Sequence, residues 1–153
     1  MVGLLVSAML VLGGCGVPVD PGGTLERIDA GILRAGASAS GGLVVVSTPA
    51  AGQPVDVTGP LADLVEGFAE TRGARVVWTS GSEEELVDGI EDGSLDLAIG
   101  GMTDATPWAD RASVTRGYSD IPGADGRSIV LLLPLGENGT QSALERYLDE
   151  ELG

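Results

Sequence analysis

The chain of 153 residues has no histidine and no lysine, a single cysteine and only 3% aromatic residues. Each shortage removes a class of chemistry. Without histidine there is no ordinary general base, and Ser-His-Asp or Cys-His catalysis is excluded. One cysteine, Cys15, allows neither an internal disulfide nor a cysteine-rich metal site, and the usual zinc ligands are gone with the histidines. No metal or other cofactor is expected. All eight basic residues are arginine, so lysine Schiff bases and lysine-dependent phosphate loops are excluded as well. Positive charge is scarce beside 23 acidic residues, and the net charge of −15 argues against nucleic acid as a partner, because phosphate backbones need a basic footprint. Carboxylates are abundant enough for acid–base work, but no constellation of them stands out, and no enzyme activity is expected.

The apolar run from Val2 to Leu12 is too short to cross a hydrocarbon core of roughly 30 Å. It has the length of the hydrophobic segment of a secretory leader, with small residues before a candidate cleavage point, although no Lys or Arg precedes it. The order Leu12-Gly13-Gly14-Cys15 resembles the bacterial lipobox, whose cysteine thiol takes a diacylglycerol and becomes the new N-terminus. That resemblance implies a signal peptide over residues 1–14, lipidation at Cys15, and a mature protein anchored on the extracytoplasmic face of the cell membrane. A buried N-terminal helix with a chance cysteine is the alternative. Residues 15–23 read as the lipidated cysteine and a Pro/Gly-rich flexible tether, and residues 24–153 as a single domain.

Within that domain, helical and extended patterns alternate. Thr24 is placed to cap a short helix that stops at Gly31, and Ile32 to Ala37 reads as a strand. Leu43 to Val46 is a β-branched run suited to a second strand. Leu61, Leu64, Val65, Phe68 and Ala69 recur at helical spacing, and Gly73 ends that helix. Ala74 to Trp78 is the next strand. Ser82 and Glu85 form a capping box for a helix that buries Leu86, Val87 and Ile90, its acidic residues reading as a solvated face. Leu95 to Ile99, Ala112 to Thr115 and the wholly apolar Ile129 to Leu133 read as further strands. Thr140 is placed to cap a last helix with Leu144, Tyr147, Leu148 and Leu152 inward. The alternation predicts an α/β fold with a mostly parallel sheet of about five strands flanked by helices.

In open α/β sheets, ligands gather at the carboxyl ends of the strands. Here that points to the loop from Gly100 to Thr106. Gly100 and Gly101 let the backbone approach a ligand and present N–H groups to an anion or carbonyl. Thr103 and Thr106 add hydroxyls, Trp108 a stacking surface, and Arg111 a cation able to pair with a carboxylate. Each has an alternative: a tight turn at the two glycines, a lid on the core at Trp108, an ion pair with neighbouring acids at Arg111.

The stretch Val76 to Tyr118 resembles the first lobe of family 3 extracytoplasmic solute-binding proteins, the receptors of amino-acid-type ABC importers. The matching features are the helix Glu83 to Glu91, the Gly93-Ser94-Leu95-Asp96 lead into a strand, the Gly100-Gly101-Met102-Thr103 loop, a Thr-Pro turn, and Arg116-Gly117-Tyr118. The resemblance implies a single lobe of a type II periplasmic-binding-protein-like fold. It implies a small polar solute, such as an amino acid, as ligand and an ABC permease as partner. Ligand-binding residues would be Gly100, Gly101, Thr103, Thr106, Trp108, Arg111 and Asp63. The pattern also departs from the family. Residues 119–128 stand where a whole second lobe is expected, Ser38 to Gly42 holds no stacking aromatic, and Leu61 occupies the acidic position near Asp63. Trp108 and Ala109 fill the positions of the carboxylate-clamping arginine, with Arg111 slightly later. The alternative function is a non-transport lipoprotein or interaction module derived from such a receptor, with ligand binding lost.

Overall fold

A computed structural model describes residues 16–153. The leader and Cys15 lie outside the described residues. The elements run α1 (Thr24–Asp29), β1 (Ile32–Ala37), β2 (Val45–Ser47), β3 (Asp56–Thr58), α2 (Pro60–Thr71), β4 (Arg75–Ser80), α3 (Glu83–Glu91), β5 (Leu97–Ile99), β6 (Ser113–Val114), β7 (Leu132–Leu133) and α4 (Asn138–Leu152). Five strands form one sheet in the order β4-β1-β5-β7-β6. β1 pairs in parallel with β4 and β5, while β7 runs antiparallel between β5 and β6.

Alternation along the strands builds two cores. Leu33, Ala35, Ala37, Leu97, Ile99, Leu131 and Leu133 face one side, where they meet Ile28 of α1, Leu61, Val65 and Phe68 of α2, and Leu144 and Leu148 of α4. Ala98, Val130 and Leu132 face the other, against Leu86, Val87 and Ile90 of α3. Burying a large aliphatic or aromatic side chain is worth about 1.5–3 kcal/mol, so the period of two sets which helices each strand holds. The result is three layers, with α3 alone on its side. This is a single lobe of the periplasmic-binding-protein-like type.

The α3 helix begins at the predicted capping box, and α2 begins at a Gly-Pro pair. Pro60 sits in the first turn of α2 after Gly59, whose φ of +112° suits glycine and whose Cβ would stand 2.6 Å from the Leu43 carbonyl oxygen. At α3, Ser82 Oγ accepts from the Glu85 N–H at 3.3 Å and the Glu85 carboxylate accepts from the Ser82 N–H at 2.8 Å. The Ser82 N–H and the Ser82 hydroxyl, which donates to the same carboxylate at 3.0 Å, hold the Glu85 carboxyl below its ordinary range.

The expected second strand forms at Val45–Ser47 and pairs antiparallel with β3, a strand without a sequence signal, in a ribbon separate from the main sheet. Two expectations are corrected. Thr24 and Thr140 are not helix caps; they lie inside the first turns of α1 and α4, preceded by Gly23 and Glu137. The Pro/Gly stretch is docked from Val19 onward. The Val19 carbonyl accepts from the Asn138 N–H at 3.1 Å, and the Asp20 carboxylate from the Thr140 N–H at 3.0 Å.

Residues 119–128 close on themselves. Tyr118 and Ile129 exchange backbone bonds of 2.8 and 3.1 Å, and Ile121 and Ala124 are buried in the larger core. The tip is pinned by Gly123, with φ +84°, whose backbone lies against Gly42 too closely for any Cβ.

Candidate functional site

At the carboxyl ends of β1 and β5 two loops meet. The Ser38 N–H donates to the Ile99 carbonyl at 2.9 Å, extending the β1–β5 ladder past both strands. Gly100 is buried here, and a Cβ would stand 3.2 Å from Ser38 Cβ, so its first role is to let the loops pack. At Gly101 a Cβ would stand 2.5 Å from Ser40 Oγ and 3.9 Å from Arg127 Nη1. Ser40 and Val44 exchange backbone bonds of 3.0 and 2.9 Å, which makes the Ser38–Gly42 loop a tight turn.

The far side of the Gly100–Thr106 loop is fixed to the strand leading into β7. The Val130 N–H donates to the Met102 carbonyl at 3.0 Å and the Asp104 N–H to the Ser128 carbonyl at 3.1 Å, with Thr103 bridged to Ile129. Thr106 folds back, its N–H on the Thr103 carbonyl at 2.9 Å. Its Oγ1 is buried and has no hydrogen-bond partner among the described residues.

The other sequence candidates stand elsewhere. Trp108 packs on the α3 layer, and its Nε1 donates to the Glu83 carboxylate at 3.2 Å. Arg111 pairs with Glu91 and, at 2.7 Å, with Asp88, and its guanidinium lies 5.7 Å from the centre of the Trp108 ring. The hydrogen bonds that Arg111 donates to Glu91 and Asp88 push its own pKa further up and hold Glu91 down. Both residues therefore serve the alternatives their sequence allows, a lid and an ion pair. Asp63 is exposed on α2 and lines a groove of about 290 Å³ with Leu64, Pro122, Tyr147 and Glu151. A second cavity, of about 330 Å³, lies at the opposite end of the sheet between Arg27, Leu95 and Glu137. Neither includes the Gly100–Thr106 loop.

Asp96 shows what the Gly93-x-x-Asp96 motif does. Its side chain is fully buried, and it accepts from the Arg34 N–H at 2.9 Å, from Arg34 Nη2 at 2.6 Å and from Arg27 Nη2 at 3.0 Å. Burial works against its ionisation, but the Arg34 and Arg27 bonds and charges outweigh it and hold the carboxyl below its ordinary range. It ties α1, β1 and β5 together and is structural.

Sequence reasoning missed Ser40 and Arg127. Arg127 is spaced from every loop motif, and only the closure of residues 119–128 brings it to Gly101. Among the described residues, no group of three or more Cys, Asp or Glu is placed to hold a metal ion, and no helix is long and apolar enough to cross a membrane.

The arrangement defines a class: a lobe of the solute-binding-protein fold with its loop cluster at the carboxyl ends of β1 and β5. Comparisons place particular structures beside it. No protein-family model matches the chain, and no curated protein matches it. Among solved structures, it is similar to the arginine-bound form of domain 1 from TmArgBP, at 19% identity and a TM-score of 0.67 over 82% of this chain and 97% of that one. A single-substitution variant of that domain, also arginine-bound, gives 18% identity and a TM-score of 0.69, covering 83% and 97%. An amino acid ABC transporter substrate-binding protein from Streptococcus pneumoniae bound to L-arginine gives 13% identity and a TM-score of 0.63, covering 84% and 92%. At these identities the likeness is one of fold.

Proposed function

We propose that the chain is the solute-binding component, reduced to one lobe, of an ABC-type importer for a small polar solute such as an amino acid. It acts by binding rather than catalysis, and it is held at the extracytoplasmic face of the cell membrane by lipid on Cys15. The observation that carries the reading is the match to domain 1 of TmArgBP. That domain is arginine-bound as a single domain, and 97% of its length is covered by this chain. One lobe of this fold is therefore enough to hold an amino acid. In this chain the contact surface is the Gly100–Thr106 loop facing Ser40.

The test is calorimetric titration of the full chain carrying Cys15→Ser against the amino acids and other small polar solutes. The reading expects saturable binding that Thr103→Ala weakens by tenfold or more. Absence of binding by every solute would sink it. Metabolic labelling with palmitate, lost in Cys15→Ser, tests the anchor separately.

One set of observations favours a second reading, a lipoprotein module that no longer carries solute. Trp108 and Arg111 are engaged with α3, and neither cavity reaches the loop. Neighbouring permease genes distinguish the two, since only the receptor requires them.

A further inference from the structure

The strand β4 forms one edge of the main sheet, and its outer side pairs with no strand among the described residues. The other edge, β6, is two residues long, whereas β4 runs for six. Natural sheets blunt long edges with proline, a bulge or well-placed charges. Along Arg75-Val76-Val77-Trp78-Thr79-Ser80 the one such device is the arginine at the start. The ladder to β1 decides which residues face outward. The Arg75 N–H donates to the Gly31 carbonyl at 3.1 Å and the Gly81 N–H to the Ala37 carbonyl at 3.2 Å, so by alternation Val77 and Thr79 also bond toward β1. Val76, Trp78 and Ser80 therefore turn their backbone N–H and C=O groups to the open edge.

The pleat sorts the side chains in the same way. Val76 and Trp78 pack on the α2 side, where Trp78 Nε1 donates to Glu66 at 3.2 Å. Arg75, Val77, Thr79 and Gly81 share the opposite face, that of α3, and Val77 is exposed there. The ion pairs of the described residues engage Arg27, Arg34, Arg72, Arg111 and Arg116, but not Arg75. At the other end of the strand, the Cβ position of Gly81 stands 3.0 Å from Glu85 Oε2, so a carboxylate occupies the place a side chain would take.

We propose that β4 is a dimerisation edge, which pairs antiparallel with β4 of a second copy of this chain about a two-fold axis at Trp78. In that register Trp78 lies opposite Trp78 of the other copy, and Val76 opposite its Ser80. All three outward residues then exchange backbone bonds across the axis, joining two five-stranded sheets into one. The same register sets Arg75 opposite Gly81 of the other copy, on the face where the Glu85 carboxylate stands. An unpaired cation at one end of the strand meets an acid at the other, twice by symmetry. That complementarity selects a second copy as the occupant. The net charge of −15 on each copy, and the two Glu66 carboxylates brought toward the axis, oppose association, so the dimer is a concentration-dependent equilibrium. β1 separates β4 from β5 and its loop, and the inference does not rest on the receptor reading.

The experiment is sedimentation equilibrium of the full chain carrying Cys15→Ser over a concentration series, with circular dichroism as the check on folding. The expected result is a reversible monomer–dimer equilibrium in the parent. Arg75→Glu, Glu85→Arg and Ser80→Pro should each weaken it tenfold or more. Proline at Ser80 removes an outward N–H, leaves the β1 ladder in place and does not touch the α3 cap, so it decides the matter if Glu85→Arg loosens α3. An equimolar mixture of Arg75→Glu and Glu85→Arg should regain affinity within threefold of the parent, because both contacts again join opposite charges. A parent that stays monomeric up to its solubility limit would overturn the proposal. So would parent-like dimerisation of Ser80→Pro, which places the interface elsewhere, or a mixture of two folded charge variants no tighter than either alone.

Discussion

Asp20 and Glu137 cap each other's helices. The Asp20 carboxylate, just before α1, accepts from the Thr140 N–H at 3.0 Å and from the Thr140 hydroxyl in the first turn of α4. The Glu137 carboxylate, just before α4, accepts from the Gly22 N–H and, at 2.9 Å, from the Thr24 N–H at the start of α1. Each acid satisfies orphan donors at a helix start more than a hundred residues away, and each places negative charge where the helix dipole favours it.

Asp20→Ala and Glu137→Ala should each cost about 1–2 kcal/mol, the usual range for a lost cap. Because both act at one junction of α1 and α4, the double variant should cost less than the sum of the two singles. Thermal or urea melts of the three variants measure this. Additivity within about 0.5 kcal/mol would mean that the caps act independently.

That exchange also shows where the sequence stops being legible. Local signals were readable: the Ser82–Glu85 box and the helical spacing from Leu61 to Ala69 act over four to nine residues and appear in the structure as expected. Thr24 and Thr140 have the right chemistry for caps, but spacing along the chain says nothing about Asp20 and Glu137 reaching them from elsewhere. The same holds at the site. The Gly100–Thr106 loop was visible as glycines after a strand. The diversion of Arg111 to Asp88 and Glu91, and the arrival of Arg127 at Gly101, depend on which loops the sheet order brings together. β3 was missed because three residues after a polar, Pro-containing stretch hold too little alternation to register.

Asp96→Asn should destabilise the fold by about 2–3 kcal/mol. It leaves two guanidinium groups without their charge partner, and their partial exposure keeps the cost below that of a fully buried broken pair. The pH dependence has a definite sign. The folded pKa of Asp96 lies below its ordinary value of 3.8, so its contribution is complete above that value and is lost as pH falls through the folded pKa. The gap in melting temperature between parent and variant should therefore hold from pH 5 to 7 and narrow below about 3.8. A gap that widens on acidification would contradict the assignment.

Gly123→Ala should loosen the closing segment. At φ +84° an alanine is strained, and its Cβ would meet the Gly42 carbonyl oxygen. The left-handed conformation alone costs about 1–2 kcal/mol, and the close contact adds to it. Hydrogen exchange should accelerate over residues 119–128 and 40–44 before other parts of the sheet, and a uniform change would show that the two loops are not coupled.

Thr106→Val tests the buried hydroxyl. Its Oγ1 has no partner among the described residues, so replacing it with a methyl group removes an unsatisfied polar atom at nearly constant shape. Stability should be unchanged or rise by up to about 1 kcal/mol. A loss larger than about 1 kcal/mol in a denaturant melt would mean that the hydroxyl is bonded, for instance to an ordered water.

Arg111→Gln separates the ion-pair role of this residue from a binding one. The pair with Asp88 and Glu91 sits on the outer face of α3, where solvent screens it, so its removal should barely change stability. The cost should be greatest at low salt, because the variant leaves Asp88 and Glu91 as like charges three residues apart on one helix, and it should fade as ionic strength rises. Loss of the guanidinium over Trp108 should also change the fluorescence of that indole, leaving Trp78 as the unperturbed reference. Solute titrations should match the parent throughout. A binding defect in this variant, with its fold intact by circular dichroism, would return Arg111 to the site.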